Sequence, residues 1–321
     1  MHPMAELKEK LQGILQAVPA GSEIYYVDYP LYNNGGDMLI MKGTEKFFKD
    51  YGIRILGRYN LFDFPDQLKA APGSIFVLQG GGNFGDLYVH HQEIRERVVQ
   101  QFPDHRIVIL PQTIYFTSEE NYDKSAAIFN AHSDLHLFVR DEPGYELAKR
   151  KFYRNHVYLS PDMAHQLWPI VSSRKAEKDT LFFLRTDIEA GDAQPHAGQL
   201  DPRDCRDWDS LFTHAESRVT HHLSRVCRLD KKLGGSLPTR LFWYKYTDYL
   251  IGKAVNLFGS YREVHTSRLH GHILACLMDK PHVLLDNSYG KNSLYYRTWT
   301  HSFGNARLVQ DEPITPIPVG S

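Results

Sequence analysis

The segment HTSRLHGHILAC (265–276) concentrates side chains that can bind an anion and move a proton. Three histidines and one arginine fall within eight residues, and an apolar run follows. Arg268 supplies a permanent positive charge, and His270 can exchange a proton near neutral pH. Ser267 is placed to cap the helix that the apolar run predicts. His270 and His272 are two residues apart, so a helix turns them to different faces, which argues against one shared metal ion.

Two further segments carry candidate anion ligands. Arg185 ends the apolar stretch LFFLR, and its guanidinium fork matches a carboxylate or a phosphate bidentately. Its partner is either a ligand anion or a neighbouring acid such as Asp187. In LLDNSYGKNSLYY (284–296), Lys291 is placed to meet a phosphate and Tyr289 a sugar ring, unless the segment is only a surface turn.

Two glycine-rich segments follow predicted strands and lead into predicted helices. In NNGGDMLIMKG (33–43), Gly36 permits a ligand to approach the free N–H groups of a helix start, where an anion is favoured. Asp37 could instead cap this helix itself. LQGGGNFGDLY (78–88) is neither a Walker A loop nor a dinucleotide motif in its usual setting. It predicts either a tight turn or a backbone surface for substrate, with the candidate residues Gly81, Gly82, Asn83 and Asp86.

Strand and helix patterns alternate along most of the chain. Strands are predicted at 23–29, 53–59, 74–79, 106–112, 135–141, 156–162, 180–187, 262–267 and 281–286. Helices are predicted at 37–51, 88–101, 118–132, 142–152, 203–232, 239–258, 269–278 and 292–300. The alternation predicts an α/β fold with parallel sheets and helices on both faces, and such sheets bind ligands beyond the carboxyl ends of their strands.

A polar stretch that contains Pro169 marks the predicted domain boundary. We expect an N-terminal Rossmann-like domain over 1–170, a C-terminal Rossmann-like domain over 171–307 and a tail over 308–321. A ligand cleft is expected between the two domains. The polar loop 190–202 is expected to be mobile.

Composition limits the class of protein. Lys plus Arg is 37 and Asp plus Glu is 38, so the chain lacks the basic footprint of a general nucleic-acid binder. The three cysteines are scattered, which argues against a disulfide framework or a structural zinc site. The N-terminal stretch lacks the pattern of a signal peptide, and no apolar run approaches the roughly 20 residues of a membrane span. We therefore expect a soluble cytoplasmic protein.

These segments, in this order, resemble the polysaccharide pyruvyl transferase family. The resemblance covers about residues 30–295 and is carried by NNGGDMLI, GGGNFGD, VRDEPGYE, SPDMAH, FLRTD and above all HTSRLHGHILA. The glycine motifs alone are weak, whereas the Ser-Arg-Leu-His segment within the ordered set is fairly specific. The region 190–258 matches nothing in the family pattern.

The resemblance implies a fold similar to GT-B glycosyltransferases. It also implies transfer of the carboxyethylidene group of phosphoenolpyruvate to a sugar diol, which forms a cyclic ketal and releases phosphate. Phosphoenolpyruvate is the donor substrate, and neither a metal nor another cofactor is implied. The C-terminal domain would bind the donor and the N-terminal domain the acceptor. The implied donor-binding residues are Arg185, Arg268, Leu269 and His270, with His165 a weaker match.

The residue types suit this chemistry. Two arginines can hold the phosphate and the carboxylate of phosphoenolpyruvate, and an imidazolium at His270 can protonate its methylene carbon. A nearby carboxylate could accept the proton of the attacking hydroxyl. The sequence leaves Asp37, Asp86 and Asp162 as alternatives for that role.

Other functions remain open on the sequence alone. A nucleotide-sugar glycosyltransferase of GT-B type has the same architecture, and a sugar-binding subunit of a polysaccharide assembly complex needs no catalysis. For the pyruvyl transferase, the expected acceptor is a capsule, exopolysaccharide or cell-wall precursor. A lipid-linked precursor would bring the protein to the inner face of the membrane. The surface for such a contact would be RLFWYKYTDYLIGKAV (240–255), which is otherwise a buried amphipathic helix. The oligomeric state is left open.

Overall fold

A computed structural model describes residues 1–187, 200–232, 237–288 and 290–309. Most of the predicted loop 190–202 lies outside the described residues, as do Tyr289 and all of the predicted tail beyond residue 309. The chain divides into two compact units. Unit 1 comprises Met1–Leu167 and His214–Asp248, and unit 2 comprises Trp168–Thr213 and Tyr249–Ser321.

Unit 1 is built on a seven-stranded parallel sheet. Its strands are β1 (Glu23–Val27), β2 (Arg54–Tyr59), β3 (Ile75–Leu78), β4 (Gly81–Gly85), β5 (Ile107–Tyr115), β6 (Leu135–Val139) and β7 (His156–Leu159). They run in the order β2-β1-β3-β5-β6-β7, and β4 also pairs with β5. The central strands are apolar runs because both of their faces are covered, and every residue of β3 and β6 is buried.

Unit 2 has a five-stranded parallel sheet with the same kind of order. Its strands are β8 (Lys178–Phe183), β9 (Cys205–Arg206), β10 (Tyr261–Thr266), β11 (His282–Leu285) and β12 (Ala306–Val309). They run in the order β12-β11-β10-β8-β9. In each unit the first strand lies between the second and the third. The strand order therefore reverses between β1 and β3 in unit 1 and between β8 and β10 in unit 2, and such a reversal opens a crevice for ligands.

Helices connect these strands. In chain order they are α1 (Pro3–Lys10), α2 (Gly35–Asp50), α3 (Val89–Gln101), α4 (Glu119–Asn130), α5 (Glu142–Lys151), α6 (Trp208–Leu211), α7 (His214–Lys232), α8 (Thr239–Gly259), α9 (Leu269–Leu277) and α10 (Lys291–Tyr295). Side-chain caps fix several helix starts, since Ser118 accepts from the N–H of Asn121 and Asp141 from that of Gly144. No helix in the described ranges is both long enough and apolar enough to cross a membrane.

The predicted α/β fold with parallel sheets is confirmed, and the cleft between the domains stays a prediction. The segment 214–248 belongs to unit 1 and not, as its position in the sequence predicts, to the C-terminal domain. Long-range bonds explain this. Trp243 Nε1 donates to the carbonyl oxygen of Pro30 over 2.7 Å, and Thr220 Oγ1 lies 2.7 Å from Asn33 Oδ1. Both helices of the segment are thereby attached to the loop that follows β1.

Two stretches differ locally from the prediction. The glycine segment forms the short strand β4 instead of a turn, because it pairs with β5. The region 203–232, predicted as one helix, contains β9, α6 and α7. The chain breaks there because Asp207 caps α6 and Phe212 is in an extended conformation.

Candidate functional site

Three charged residues follow three adjacent strands of unit 2. Arg185 comes two residues after β8, Asp207 directly after β9, and Arg268 two residues after β10. Parallel strands bring their carboxyl ends to one edge, and β8 and β10 flank the reversal of strand order. The structure therefore brings together the two arginines that the sequence predicted as anion ligands.

Asp207 fixes the orientation of Arg268. The guanidinium donates from Nε to Asp207 Oδ1 over 2.7 Å and from Nη2 to Oδ2 over 2.6 Å. Asp207 is 1% exposed and also accepts from the N–H and the hydroxyl of Thr186, each over 3.0 Å. Burial alone would lower the pKa of Arg268, but the ion pairs with Asp207 and Asp187 outweigh it and raise the pKa. Hydrogen bonds within the protein thus hold the side of the Arg268 guanidinium that is formed by Nε and Nη2.

Asp187 bridges the two arginines. Arg185 donates to it from Nε over 2.9 Å and from Nη2 over 3.1 Å. Nη1 of Arg268 lies 2.8 Å from Asp187 Oδ2, and the side-chain exposures are 12% for Arg268 and 39% for Asp187. The structure thus contains the local salt bridge that was the alternative for Arg185. An exposed carboxylate shared by two buried guanidiniums also marks a position that an external anion can take.

Side-chain bonds join the ends of β8 and β10. Ser267 was predicted to cap α9, but the N-cap is Arg268, and Ser267 Oγ accepts from the N–H of Arg185 over 2.8 Å. Thr266 Oγ1 accepts from the N–H of Arg268 over 3.0 Å and donates to the carbonyl oxygen of Phe183 over 2.7 Å. The backbones of both arginines are therefore held by side chains at the end of β10.

His270 lies in the first turn of α9 and is half-buried. The next residue, Gly271, allows this turn to approach the strands. A Cβ at Gly271 would lie 2.4 Å from Thr266 Oγ1 and 3.0 Å from Phe183 Cδ1. Only glycine fits at that distance, and the close approach keeps His270 at the strand edge that carries Arg268.

The other predicted donor-binding residues have different surroundings. Leu269 is 4% exposed. Lys291 is the first residue of α10, where its N–H donates to Asn287 Oδ1 over 2.8 Å. His165 is fully buried in a 3-10 helix of unit 1. The two arginines of the site belong to unit 2.

The two glycine segments of unit 1 meet at Asp37. Asn34, and not Asp37, caps α2, since Asn34 Oδ1 accepts from the N–H of Gly36 over 2.9 Å. Asp37 Oδ2 instead accepts from the hydroxyl of Tyr32 over 3.1 Å. Gly81 has a φ of +134°, and a Cβ there would lie 3.2 Å from Asp37 Oδ1. The half-buried Asp37 therefore lies against the backbone of the second glycine segment.

The other two candidate proton acceptors make structural bonds. Asp86 accepts from the N–H groups of Thr117 over 2.7 Å and Ser118 over 2.9 Å, which fixes the start of α4. Desolvation would raise the pKa of Asp86, but these bonds lower it. Asp162 is fully buried in an ion pair with Arg140, with 2.5 Å between Oδ2 and Nη1. Both carboxylates are therefore engaged in bonds that stabilise the fold.

Gly82 and Asn83 belong to β4. Gly82 is half-buried, whereas Asn83 is 8% exposed. The carbonyl oxygen of Asn83 accepts from Nη1 of Arg95 over 2.9 Å, and its side-chain oxygen binds the same guanidinium. The side chain of Asn83 is therefore turned towards a buried arginine.

The profile of the family described as "Polysaccharide pyruvyl transferase" matches residues 34–289. The chain belongs to this family. The matched range contains the first glycine segment from Asn34 onwards, the whole second glycine segment, both arginines of the site and His270.

Similar proteins support a pyruvyl transferase role. The Bacillus subtilis (strain 168) protein named "Putative pyruvyl transferase EpsO" is 46% identical over 310 residues, which cover 96% of this chain and 95% of that protein. "Pyruvyl transferase 1" of Schizosaccharomyces pombe is 28% identical over 292 residues, 87% of this chain and 70% of that protein. A crystal structure of a functionally uncharacterised Klebsiella pneumoniae protein has a TM-score of 0.64 at 19% identity and covers 95% of this chain and 98% of its own. This last similarity concerns the fold alone.

In this polysaccharide pyruvyl transferase family member, His272 is a buried residue that makes hydrogen bonds within the core. Its Nδ1 lies 2.7 Å from His282 Nε2, and its Nε2 lies 2.8 Å from Thr300 Oγ1. His282 Nδ1 donates to the carbonyl oxygen of Lys280 over 2.8 Å, so His282 Nε2 is the acceptor from His272. Cys276 Sγ lies 3.7 Å from the same nitrogen. Two nitrogens bound at about 2.0–2.1 Å to one tetrahedral zinc would lie about 3.3 Å apart, so the geometry is that of a hydrogen-bonded pair.

Sequence reasoning missed Asp207, the residue that orients Arg268 in this family member. It follows a strand of only two residues in a polar stretch without alternation. The available signal was DWDS, in which Asp207 and Ser210 form the capping box of α6. A capping signal does not reveal that the same carboxylate binds an arginine 61 residues away.

Proposed function

We propose that the protein transfers the carboxyethylidene group of phosphoenolpyruvate to two hydroxyls of a sugar, forming a cyclic ketal and releasing phosphate. Membership of a pyruvyl transferase family supports the transferred group. The choice of donor rests on the bridge Arg185–Asp187–Arg268 at the start of α9. Such a pair of guanidiniums suits a small compound with two anionic ends.

The donor would replace Asp187. Phosphoenolpyruvate carries a phosphate and a carboxylate. Once Asp187 is replaced, Arg185 offers Nε and Nη2 and Arg268 offers Nη1. Among the described residues, Asp207 forms an ion pair with Arg268 alone, so replacing Asp187 removes the carboxylate that Arg185 binds, and the anionic donor takes its place. Holding both ends of the donor fixes its orientation, which can lower a barrier by about 7–11 kcal/mol in favourable cases.

His270 would act as the general acid. It donates a proton to the methylene carbon, and the carbon that bears the phosphate becomes oxocarbenium-like. A sugar hydroxyl attacks that carbon, and the bond between the carbon and the phosphate oxygen breaks. The second hydroxyl then attacks the same carbon and closes the ring. One hydroxyl proton restores His270 and the other leaves with the phosphate. General acid catalysis of this kind typically contributes roughly 10²–10⁴-fold, and the scheme calls for neither a redox cofactor nor a metal ion.

The acceptor would be bound by unit 1, around Asp37, Gly36 and Gly81, and would be a capsule, exopolysaccharide or cell-wall precursor. A lipid-linked precursor would place the protein at the inner face of the membrane. The surface of α8 supports such a peripheral contact, because Leu241 is 60% and Phe242 52% exposed. These residues lie beside basic side chains of the same helix, a combination that suits anionic lipid headgroups.

A mass-spectrometric assay with phosphoenolpyruvate and a panel of lipid-linked or nitrophenyl sugars tests the function. We expect phosphate release and an acceptor heavier by one carboxyethylidene group. Arg268→Ala and His270→Ala should lose both signals while staying folded, and the exposed His301→Ala serves as the control. Phosphoenolpyruvate should also raise the Tm more than nucleotide sugars do, since a ligand stabilises the state that it binds. Stabilisation by UDP- or GDP-sugars and not by phosphoenolpyruvate would favour a glycosyltransferase.

A further inference from the structure

Asp28 lies at the reversal of strand order in unit 1. It follows β1 directly, and β1 and β3 flank the reversal. Its φ is +66°, a left-handed conformation that costs energy for a residue other than glycine. Its side chain is 1% exposed. A strained, buried aspartate at a ligand-binding edge suggests a residue that is kept there for its carboxylate.

His91 is the closest side-chain partner of Asp28. Its Nδ1 lies 2.8 Å from Asp28 Oδ1 and 3.0 Å from Oδ2. A carboxylate can only accept, so Nδ1 carries a proton, and Nε2 of the neutral ring holds a lone pair. Among the described residues Nε2 has no hydrogen-bond partner, and the side chain is 13% exposed. An imidazole that is oriented by a buried carboxylate and has an accessible lone pair is arranged as a general base.

A purely structural reason for Asp28 would be the charge of Arg95. The Nη2 of this fully buried arginine lies 3.5 Å from Asp28 Oδ2. Its Nη1 hydrogen bonds go elsewhere, to the carbonyl oxygens of Asn83 over 2.9 Å and of His91 over 3.0 Å. Asp28 therefore balances the charge of Arg95 while it makes its shortest hydrogen bonds to His91. Charge balance alone does not require the imidazole to be aligned on both carboxylate oxygens.

The neighbours of His91 also favour it over Asp37 as the base. The ring of Tyr32 lies edge-on to His91, with 5.6 Å between the centroids, and its hydroxyl donates to Asp37. Burial, reinforced by the charge of Asp37, raises the pKa of Tyr32 well above its ordinary value, so the hydroxyl remains a donor. Asp37 is thus a hydrogen-bonded carboxylate suited to holding a sugar hydroxyl, whereas an imidazole accepts a proton near neutral pH.

We infer that His91 is the general base that activates the acceptor hydroxyl, with Asp28 as its positioning residue. The inference rests on the proposed function. Nε2 takes the proton of the attacking hydroxyl as its oxygen forms the bond to the donor carbon. Asp28 stabilises the imidazolium, which then releases that proton with the departing phosphate. The second hydroxyl supplies the proton that restores His270, so all protons are accounted for.

The substitution His91→Asn separates base catalysis from structure. The asparagine amide nitrogen occupies the position of Nδ1 and can still donate to Asp28, but the base is lost. We expect kcat to fall by roughly 10²–10⁴-fold, and the acid-side limb of the wild-type pH–rate profile to disappear. The Tm and its rise with phosphoenolpyruvate should be unchanged. The control is His90→Asn, because His90 is 80% exposed and pairs with Glu93. It should behave as the wild type.

A second measurement does not depend on the variant. Nitrogen-15 NMR of the wild-type protein should find the His91 proton on Nδ1 in the neutral ring. A neutral ring protonated on Nε2, or His91→Asn with wild-type kcat and an unchanged pH profile, would overturn the inference. An error in the proposed function would give a different result from an error in the role of His91. In that case the wild type itself would neither release phosphate from phosphoenolpyruvate nor be stabilised by it.

Discussion

Arg268 donates two hydrogen bonds to the buried carboxylate of Asp207, over 2.7 Å and 2.6 Å. One arginine of the candidate donor site is therefore oriented by the protein before any ligand arrives. Its remaining nitrogen, Nη1, points to the exposed Asp187. Asp207 thus holds one side of the Arg268 guanidinium in place, whereas a ligand can replace Asp187 on the other side. Substitutions of the two aspartates should therefore have opposite effects on donor binding.

Asp207→Asn should destabilise the protein and weaken donor binding. It removes one partner of a buried ion pair, a change that typically costs about 3–5 kcal/mol in the free energy of unfolding. Urea denaturation measures the loss, and the rise in Tm with phosphoenolpyruvate should shrink. Asp209→Asn, two residues along and exposed, should change neither quantity. Equal stability of both variants would contradict the role given to Asp207.

Asp187→Asn should strengthen donor binding. The asparagine no longer competes as an anion for Arg185 and Arg268. Because Asp187 is exposed, each of its two ion pairs is worth only about 0.2–1 kcal/mol, so we expect phosphoenolpyruvate to bind up to about thirtyfold more tightly. Isothermal titration calorimetry measures the Kd. Weaker binding by this variant would mean that Asp187 helps to hold the donor.

Gly271→Ala should displace the start of α9. The new Cβ would lie 2.4 Å from Thr266 Oγ1, so helix and strand must move apart. Overpacking of this kind typically costs about 1–3 kcal/mol, and the displaced His270 should lower kcat. Gly252→Ala in α8 is the matched control, since its Cβ would meet nothing within 4 Å. A helix-interior alanine should stabilise by roughly 0.5–1 kcal/mol, so the two variants should shift the Tm in opposite directions.

The buried His282 should make stability depend on pH. Burial lowers its pKa to about 4, from 6.5 in a free side chain. Between these values the unfolded chain binds more protons than the native protein, so stability falls as the pH drops through this window, by at most about 3 kcal/mol. His282→Asn keeps a donor for the carbonyl oxygen of Lys280 and removes the titration. In urea unfolding, the variant should lose less stability than the wild type between about pH 7 and pH 4.5. An identical loss would assign the effect to other groups.

The sequence could predict that Arg185 and Arg268 lie close together, because the signals for this are local. Arg185 follows the apolar run LFFL and Arg268 follows the predicted strand 262–267, and the alternation of strands and helices indicates that these two strands are parallel. The carboxyl ends of parallel strands share an edge, so the two arginines were expected to meet.

The features that the sequence could not predict depend on contacts between residues far apart in the chain. Asp28 and His91 are 63 positions apart, and neither pattern nor spacing connects them. Asp207 shows only a capping signal, which concerns its own helix. The placement of 214–248 in unit 1 depends on the bond from Trp243 to Pro30, 213 positions away. The structural bonds of Asp86 and Asp162 could not be predicted, because the sequence does not give their hydrogen-bond partners.

The most direct test of the account is the transfer reaction run in D₂O, with the methyl group of the product analysed by NMR and mass spectrometry. Protonation of the methylene carbon of phosphoenolpyruvate predicts a ketal whose methyl group carries a single deuterium, formed at a rate that falls in His270→Ala. A ketal with an unlabelled methyl group, or phosphoenolpyruvate consumed without any ketal, would contradict the central claim.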